Sequence, residues 1–346
     1  MLVNHVTVRH AKSGPHVTRS ETLLQYHSPF AIYYNSIERA LKLKGAGGLV
    51  NPPAPFTTTY ALFNHTLLIG YPMQIKPSPE ECTDEALSPA HLAQAVKALQ
   101  TDGYVVIEDI VSHDHLDLIR ERMDADAQLL YDAKQWSGAG GLPGHLMLGA
   151  PPFAPFVFRD IVANPFAVQV SQAMLGDRFF NGLYSGNSNC PGSQTQPLHR
   201  DVDHLWSSLT VAHPAASLVV NIAPQDTSEE NGSIELWPGS HLDPTFGSVI
   251  SAEAEAARRA TSPPIRGNTR KGSVLIRDMR LWHRGMPNHA DQTRHMIAMV
   301  HNIGWLQRGR VLKFSTDCEA VFPEGPLDHN AAFTDEPIDH VGLRTG

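Results

Sequence analysis

Residues 281–300 read LWHRGMPNHADQTRHMIAMV, and their interpretation decides the fold. Two strand-like runs flank the polar stretch PNHADQT, so the segment predicts two strands joined by a loop. Residues that face each other in a hairpin have position numbers with a constant sum. With the loop centred on Asn288 and His289, His283 stands opposite Arg294, and their side chains share one face of the sheet. A buried Arg beside a metal-ligating His needs an anion. A dicarboxylate that chelates the metal at one end and is salt-bridged to Arg294 at the other satisfies both groups.

The same texture extends upstream. Short runs alternate with Gly, Pro and Asn turns: RFFNGLYSG, SLVVNIAPQD, SIELWPGSH and GSVLIRDM. Strands at this spacing predict an antiparallel sandwich or barrel, and Asn231-Gly232 reads as a hairpin turn within it. The N-terminal flank is helical. Ser88 and Pro89 read as N-cap and first residue of a helix through Leu99. After Gly103 the period switches and Tyr104–Ile107 reads as a strand. Ser112 opens a second helix with Leu116, Ile119 and Met123 on one face. The expected organisation is a partly irregular extension over 1–85, one main domain over 86–320 and a tail over 321–346. Within the extension, Ser36–Leu43 reads as a short amphipathic helix ended by Gly45.

The chain has 346 residues, 27 Lys and Arg against 35 Asp and Glu, and a net charge of -8. Such a balance disfavours nucleic acid and anionic membrane as partners and leaves a small molecule as the expected one. Oligomeric state is left open, a homodimer included. Cys82, Cys190 and Cys318 are too few and too scattered for a disulfide framework, which points to a reducing compartment. No apolar run is long enough to span a bilayer, and the first residues lack the apolar stretch of a secretory signal. A cytoplasmic location is therefore expected. Arg9, Lys12 and Arg19 before the first acidic residue, Glu21, leave a mitochondrial transit peptide open against the preferred reading of a disordered start. The final Arg344-Thr345-Gly346 is not of the Ser-Lys-Leu type, though a peroxisomal location is also left open.

Nineteen histidines call for an explanation. A mononuclear non-haem iron site takes two His and one carboxylate on one face and leaves three positions open. In a strand, residues i and i+2 share a face, so a His-x-Asp pair can supply two of the ligands. The pattern occurs at four places. His115/Asp117 falls in a helix, where i and i+2 diverge. His289/Asp291 lies in a polar turn, and His241/Asp243 follows a Pro-Gly-Ser turn, where loop stabilisation is the simpler role. His199/Asp201, in QPLHRDVDHLW, lies far enough before His283 for several strands to intervene.

Together DGYVVIEDIV, QPLHRD, ENGSIELWPGSH and the His283…Arg294 segment resemble the phytanoyl-CoA dioxygenase family of iron(II)/2-oxoglutarate oxygenases, over about residues 88 to 305. The resemblance implies a mainly β, double-stranded β-helix (jelly-roll or cupin-like) core with flanking N-terminal helices. It implies His199, Asp201 and His283 as iron(II) ligands, Arg294 on the distal carboxylate of 2-oxoglutarate, Gln196 as a further co-substrate contact, and O2 as the oxidant. Gly285 stands where some members carry a Ser that hydrogen-bonds 2-oxoglutarate, so another group must compensate. His145 and Asn187 are the candidates for an upstream residue at the co-substrate. His145, Trp206 and Tyr184 are placed near the substrate, with core packing as the competing role for the two aromatics. The basic residues Arg258, Arg259, Arg266, Arg270 and Lys271 could meet a CoA phosphate or form a solvated loop balanced by Glu253 and Glu255.

The expected activity is hydroxylation, or another oxidation, of an unactivated C–H bond in a small, largely apolar metabolite of a biosynthetic pathway, with release of succinate and CO2. Retention of Asp201 argues against halogenation, since related halogenases lose that carboxylate. The competing readings are a fatty acyl-CoA 2-hydroxylase and a non-catalytic, metal-free barrel used for binding.

Overall fold

A computed structural model describes residues 73–245 and 247–342. The expected helix at Ser36–Leu43 lies outside the described residues. The helices are α1 Pro79–Asp84, α2 Pro89–Thr101, α3 His113–Asp132, α4 Arg159–Val162, α5 Pro165–Leu175 and α6 Ala252–Thr261. The strands are β1 Gln74–Ile75, β2 Tyr104–Ile107, β3 His145–Leu146, β4 Phe179–Asn189, β5 Ser217–Ile222, β6 Glu235–Leu236, β7 Ile265–Arg266, β8 Val274–Asp278, β9 His283–Arg284, β10 Arg294–Ile303, β11 Leu312–Ser315, β12 Leu327–Asp328 and β13 Ala331–Thr334.

The large sheet runs β1-β2-β8-β5-β10-β4-β12, with β3 also on β4. A small sheet, β7-β6-β9, faces it, extended by bridges from His199 to His283 and to Val249. Two layers, antiparallel except where β1 joins β2 and β12 joins β4, curl around one interior and make the double-stranded β-helix.

The period-two alternation of the strands sorts the core into two compartments. On β5, Leu218, Val220 and Ile222 face outward and pack with Ile276, Ile297 and Met299 of β8 and β10. The helices cover this face with Ala95, Leu99, Leu116, Ile119 and Val170. The opposite face of the same strands supplies Asn221, Arg277, Arg294, Met296 and Ala298 to the interior. The helical starts follow their sequence signals. Ser88 accepts from His91 N–H and Asn164 from Ala167 N–H, each with Pro at the first helical positions. Ser112 differs: its side chain makes no cap bond, and its own N–H is donated to Asp160 Oδ2 at 2.8 Å.

Three expectations need correction. First, 281–300 is not a hairpin. β9 pairs with β6 in the small sheet, whereas β10 pairs with β4 and β5 in the large one. The polar loop carries the chain between layers, so His283 and Arg294 meet across the interior rather than side by side. Second, the turn at Asn231-Gly232 is real, with Gly232 at φ +77, but it joins β5 to β6, which are likewise in different sheets. Third, the large sheet reaches past both expected domain boundaries, with β1 on β2 and β12 on β4, and a separate two-stranded sheet pairs β11 with β13 across the later boundary.

Candidate active site

His199 and His283 are locked to each other by backbone. His199 N–H donates to His283 O at 3.1 Å, and His283 N–H to His199 O at 2.8 Å. Asp201 N–H reaches Met279 O at 3.0 Å. The side chains of His199, Asp201 and His283 then converge, with one ligand atom of each within 4.8 Å of the others. His283 Nε2 lies 3.4 Å and His199 Nε2 3.9 Å from Asp201 Oδ1.

Both imidazoles are held in one tautomer. His199 Nδ1 is 2.8 Å from Pro197 O and His283 Nδ1 is 2.9 Å from Leu281 O. A carbonyl only accepts, so each Nδ1 carries a proton and Nε2 is the ring nitrogen left facing inward. Burial, reinforced by the neighbouring His283, pushes the His199 pKa down to about 4, so it stays neutral at ordinary pH. Burial alone would raise the Asp201 carboxyl. The guanidinium of Arg277, 2.8 Å from Oδ2, overrides it and, with His283, holds the group ionised well below the usual carboxylate range. Two imidazole Nε2 atoms and one carboxylate are a donor set that fits a divalent iron with open positions. These donors face a cavity of about 250 Å³.

Arg294 lines the same cavity and is 6% exposed. Its Nη2 donates to Gly232 O at 3.0 Å, its Nε has no partner, and no carboxylate among the described residues pairs with it. Burial, then repulsion from Arg266, lowers its pKa to about 10. Asp278, the obvious structural counterion, is already bound by Arg280 at 2.7 Å. A buried cation facing an open cavity therefore awaits an anion from outside the chain.

His145 and Gln196 form a second, neutral cluster on the cavity wall. His145 Nε2 donates to Gln194 O at 2.6 Å, which leaves Nδ1 to accept from Gln196 Nε2 at 3.3 Å. Gln196 Oε1 accepts from Gly285 N–H at 2.9 Å. Both ends of the Gln196 amide are thus engaged by protein. A Cβ on Gly285 would lie 2.9 Å from Gln196 Cδ. The amide occupies the space a Ser side chain at 285 would need.

Asn187 also lines the cavity, as expected of a co-substrate candidate. The two aromatics do not. Trp206 is 48% exposed, edge-on to His213 at 5.7 Å, and absent from the cavity wall. Tyr184 points the opposite way from Leu183 and Ser185 on β4 and packs on Phe314 at 5.0 Å, as the alternation of a strand requires. Sequence reading missed Arg277 and its neighbour Asn221, whose Oδ1 accepts from Arg277 Nε at 3.3 Å. The available signal was a lone Arg in the apolar run Val274-Leu275-Ile276-Arg277.

Another constellation has the look of chemistry without its access. Ser188 Oγ lies 2.7 Å from His295 Nδ1, and His295 Nε2 lies 2.8 Å from Asp124 Oδ1. Ser188 is 1% and His295 0% exposed, and neither lines the cavity. No substrate reaches this serine, and the chain of bonds ties α3 to the large sheet.

The phytanoyl-CoA dioxygenase (PhyH) family matches residues 99–296. Among curated proteins, dioxygenase trt7 of Aspergillus terreus is 24% identical over 214 residues, 60% of this chain and 71% of its own. The iron/alpha-ketoglutarate-dependent dioxygenase ausU of Aspergillus calidoustus is 25% identical over 247 residues, 67% of this chain and 73% of its own. Dioxygenase af480 of Aspergillus fumigatus is 25% identical over 224 residues, 61% of this chain and 66% of its own. With more than half of the chain matched and the His-Asp-His group in place, the chain belongs to the phytanoyl-CoA dioxygenase family and is an iron(II)- and 2-oxoglutarate-dependent dioxygenase.

Proposed function

We propose that His199, Asp201 and His283 hold the iron(II), that Arg294 binds the distal carboxylate of 2-oxoglutarate, and that the chain hydroxylates an unactivated C–H bond of a small, largely apolar metabolite. The balanced reaction consumes substrate, 2-oxoglutarate and O2 and yields the alcohol, succinate and CO2. The observation that carries this reading is the uncompensated Arg294 cation in the same cavity as three convergent metal donors.

Iron bound at these donors supplies the oxidising chemistry, with 2-oxoglutarate as the source of two electrons. The chain's own residues do the rest. The two Nδ1–H bonds to backbone carbonyls keep both Nε2 lone pairs aimed at one point. Arg277 keeps one Asp201 oxygen occupied and the other facing the imidazoles. Leu183, Ile234, Met296 and Ala298 give the wall an apolar surface that favours a hydrocarbon over water.

The acyl-CoA reading is the weaker one on a specific observation: of the five basic residues in that stretch, only Arg270 has no side-chain partner among the described residues, Arg266 donating to Ser233 O. Arg259 pairs with Glu255, Arg258 donates to Pro238 O, and Lys271 pairs with Asp117. Anaerobic addition of iron(II) and 2-oxoglutarate, followed by air and assay of succinate, tests the proposal. Succinate should form with the wild type and vanish in His199→Ala and Asp201→Ala. Undiminished turnover in either variant refutes the ligand assignment, and a strict requirement for a CoA moiety would shift the substrate reading.

A further inference from the structure

The anion-binding end of the cavity has a second arginine behind it. Arg294 comes from β10 and lines the cavity, whereas Arg266 comes from β7 of the small sheet and is absent from the cavity wall. Both side chains end on the same turn. Arg294 Nη2 donates to Gly232 O at 3.0 Å, and Arg266 Nη2 donates to Ser233 O at 2.7 Å. Two guanidiniums therefore hold consecutive peptide carbonyls, one from inside the cavity wall and one from outside it.

The turn between them has little slack of its own. Ser233 N–H donates to Ser228 O at 2.8 Å, and Ser233 Oγ donates to Asn268 Oδ1 at 2.6 Å. At Gly232 a Cβ would lie 2.5 Å from Asn189 Nδ2 and 2.7 Å from Met286 O. The backbone is thus fixed by other contacts, and a purely mechanical role for Arg266 is redundant. Its charge is not redundant. Arg266 pairs with no carboxylate among the described residues, and its buried Nε has no partner. Glu229 and Glu235 act on it only through space, and Glu235 is spent on Arg284 at 2.8 Å and on Trp237 Nε1 at 3.0 Å. After burial, repulsion from Arg266 is what lowers the Arg294 pKa, so the two charges feel each other across the turn. Two like charges brought together away from water cost stability unless an anion joins them.

We infer that Arg266 is a positioning residue for the co-substrate: held outside the cavity wall by the Ser233 carbonyl, it adds a second positive charge behind Arg294 and strengthens the hold on the distal carboxylate without touching it. This role rests on Arg294 as the anchor of 2-oxoglutarate and extends that site by one residue from the other sheet. The charge at position 266, rather than its hydrogen bond, then sets part of the preference for a dianionic oxo acid over a monoanionic one.

The test is equilibrium binding to the manganese(II)-loaded full chain, read by titration calorimetry without turnover. The probes are 2-oxoglutarate and 2-oxopentanoate, which carries a methyl group in place of the distal carboxylate. The wild type should prefer 2-oxoglutarate. Arg266→Gln should weaken 2-oxoglutarate by about three- to tenfold, the Coulomb worth of one partly buried charge, and leave 2-oxopentanoate unchanged. Arg266→Lys should keep most of the 2-oxoglutarate affinity, because it keeps the charge. Three results overturn the inference. Equal loss of both acids in Arg266→Gln would make the residue a structural prop. An unchanged preference in Arg266→Gln would leave it no part in binding. A lysine variant as weak as the glutamine one would assign the effect to the hydrogen bond. Arg294→Ala tests the reading beneath: a preference that survives there refutes Arg294 as the anchor, whereas one lost there but intact in Arg266→Gln refutes only the role of Arg266.

Discussion

The Arg277 guanidinium lies 2.8 Å from Asp201 Oδ2, and both side chains are buried. One carboxylate oxygen is thereby taken by the protein while the other, Oδ1, faces the two imidazoles at 3.4 and 3.9 Å. Arg277 thus sets the direction in which the metal-binding oxygen points. Arg277→Gln frees the carboxylate to rotate, and iron(II) affinity or turnover should fall by about 10–100-fold. Arg277→Lys keeps the charge without the fork and should fall between. Metal titration with succinate assay checks this, and wild-type values for both in Arg277→Gln would rule it out.

Arg294 is a buried cation in the cavity wall that pairs with no carboxylate among the described residues; Arg200, the other such cation, donates to Thr245 O at 2.7 Å and lies over the Trp282 ring at 5.9 Å. A charge-assisted hydrogen bond is worth about 1.5–3 kcal/mol. Arg294→Ala should therefore weaken 2-oxoglutarate by roughly 10–100-fold while iron(II) affinity is kept. Equilibrium binding of each ligand separates the two, and a parallel loss of both would assign Arg294 a structural role instead.

The Gln196 amide and the bare Cα of Gly285 share one volume. Gly285→Ser places a Cβ 2.9 Å from Gln196 Cδ and must displace the amide. The KM for 2-oxoglutarate should rise by about tenfold. Pairing it with Gln196→Ala should recover part of the loss, because the two sites are in contact and their effects are not additive. Strictly additive losses in the double variant would show that the two do not compete for this space.

Acid stability has a local source at the entrance of the helical flank. The Glu81 carboxylate accepts from Ser78 N–H at 2.7 Å and Ser88 N–H at 2.6 Å, and lies 2.8 Å from His91 Nδ1, which clasps α1 to α2. Burial works against the charge, but these bonds bring its pKa down from 4.5 to about 2. A folded value below the unfolded one means stabilisation that is complete above 4.5 and lost as pH falls through about 2. Glu81→Gln should melt about 2–4 °C below the wild type at neutral pH. That gap should close as the pH falls through the same window. A gap independent of pH would discount the carboxylate.

Much of this was legible in the chain itself. Ser88-Pro89 opens α2 because a hydroxyl can cap free N–H groups and Pro has none to lose. Leu116, Ile119 and Met123 are each 0% exposed, as their helical spacing requires. His199 and Asp201 do reach one point, as the i, i+2 spacing suggested, although His199 sits in an isolated bridge and Asp201 in the bend that follows it. These features depend on residues close in sequence and on the chemistry of single side chains.

The tertiary structure alone decided which sheet each strand joins. Interstrand hydrogen bonds are made by backbone groups that every residue carries, so the run 281–300 reads equally well as a hairpin and as a crossing between layers. The crossing puts His283 and Arg294 on opposite walls of one cavity, and it brings Arg277 from a third strand to Asp201. It also turns Tyr184 toward Phe314 and leaves Trp206 in solvent. Local pattern specifies which residues share a face; only the packing of the two sheets determines what that face looks onto.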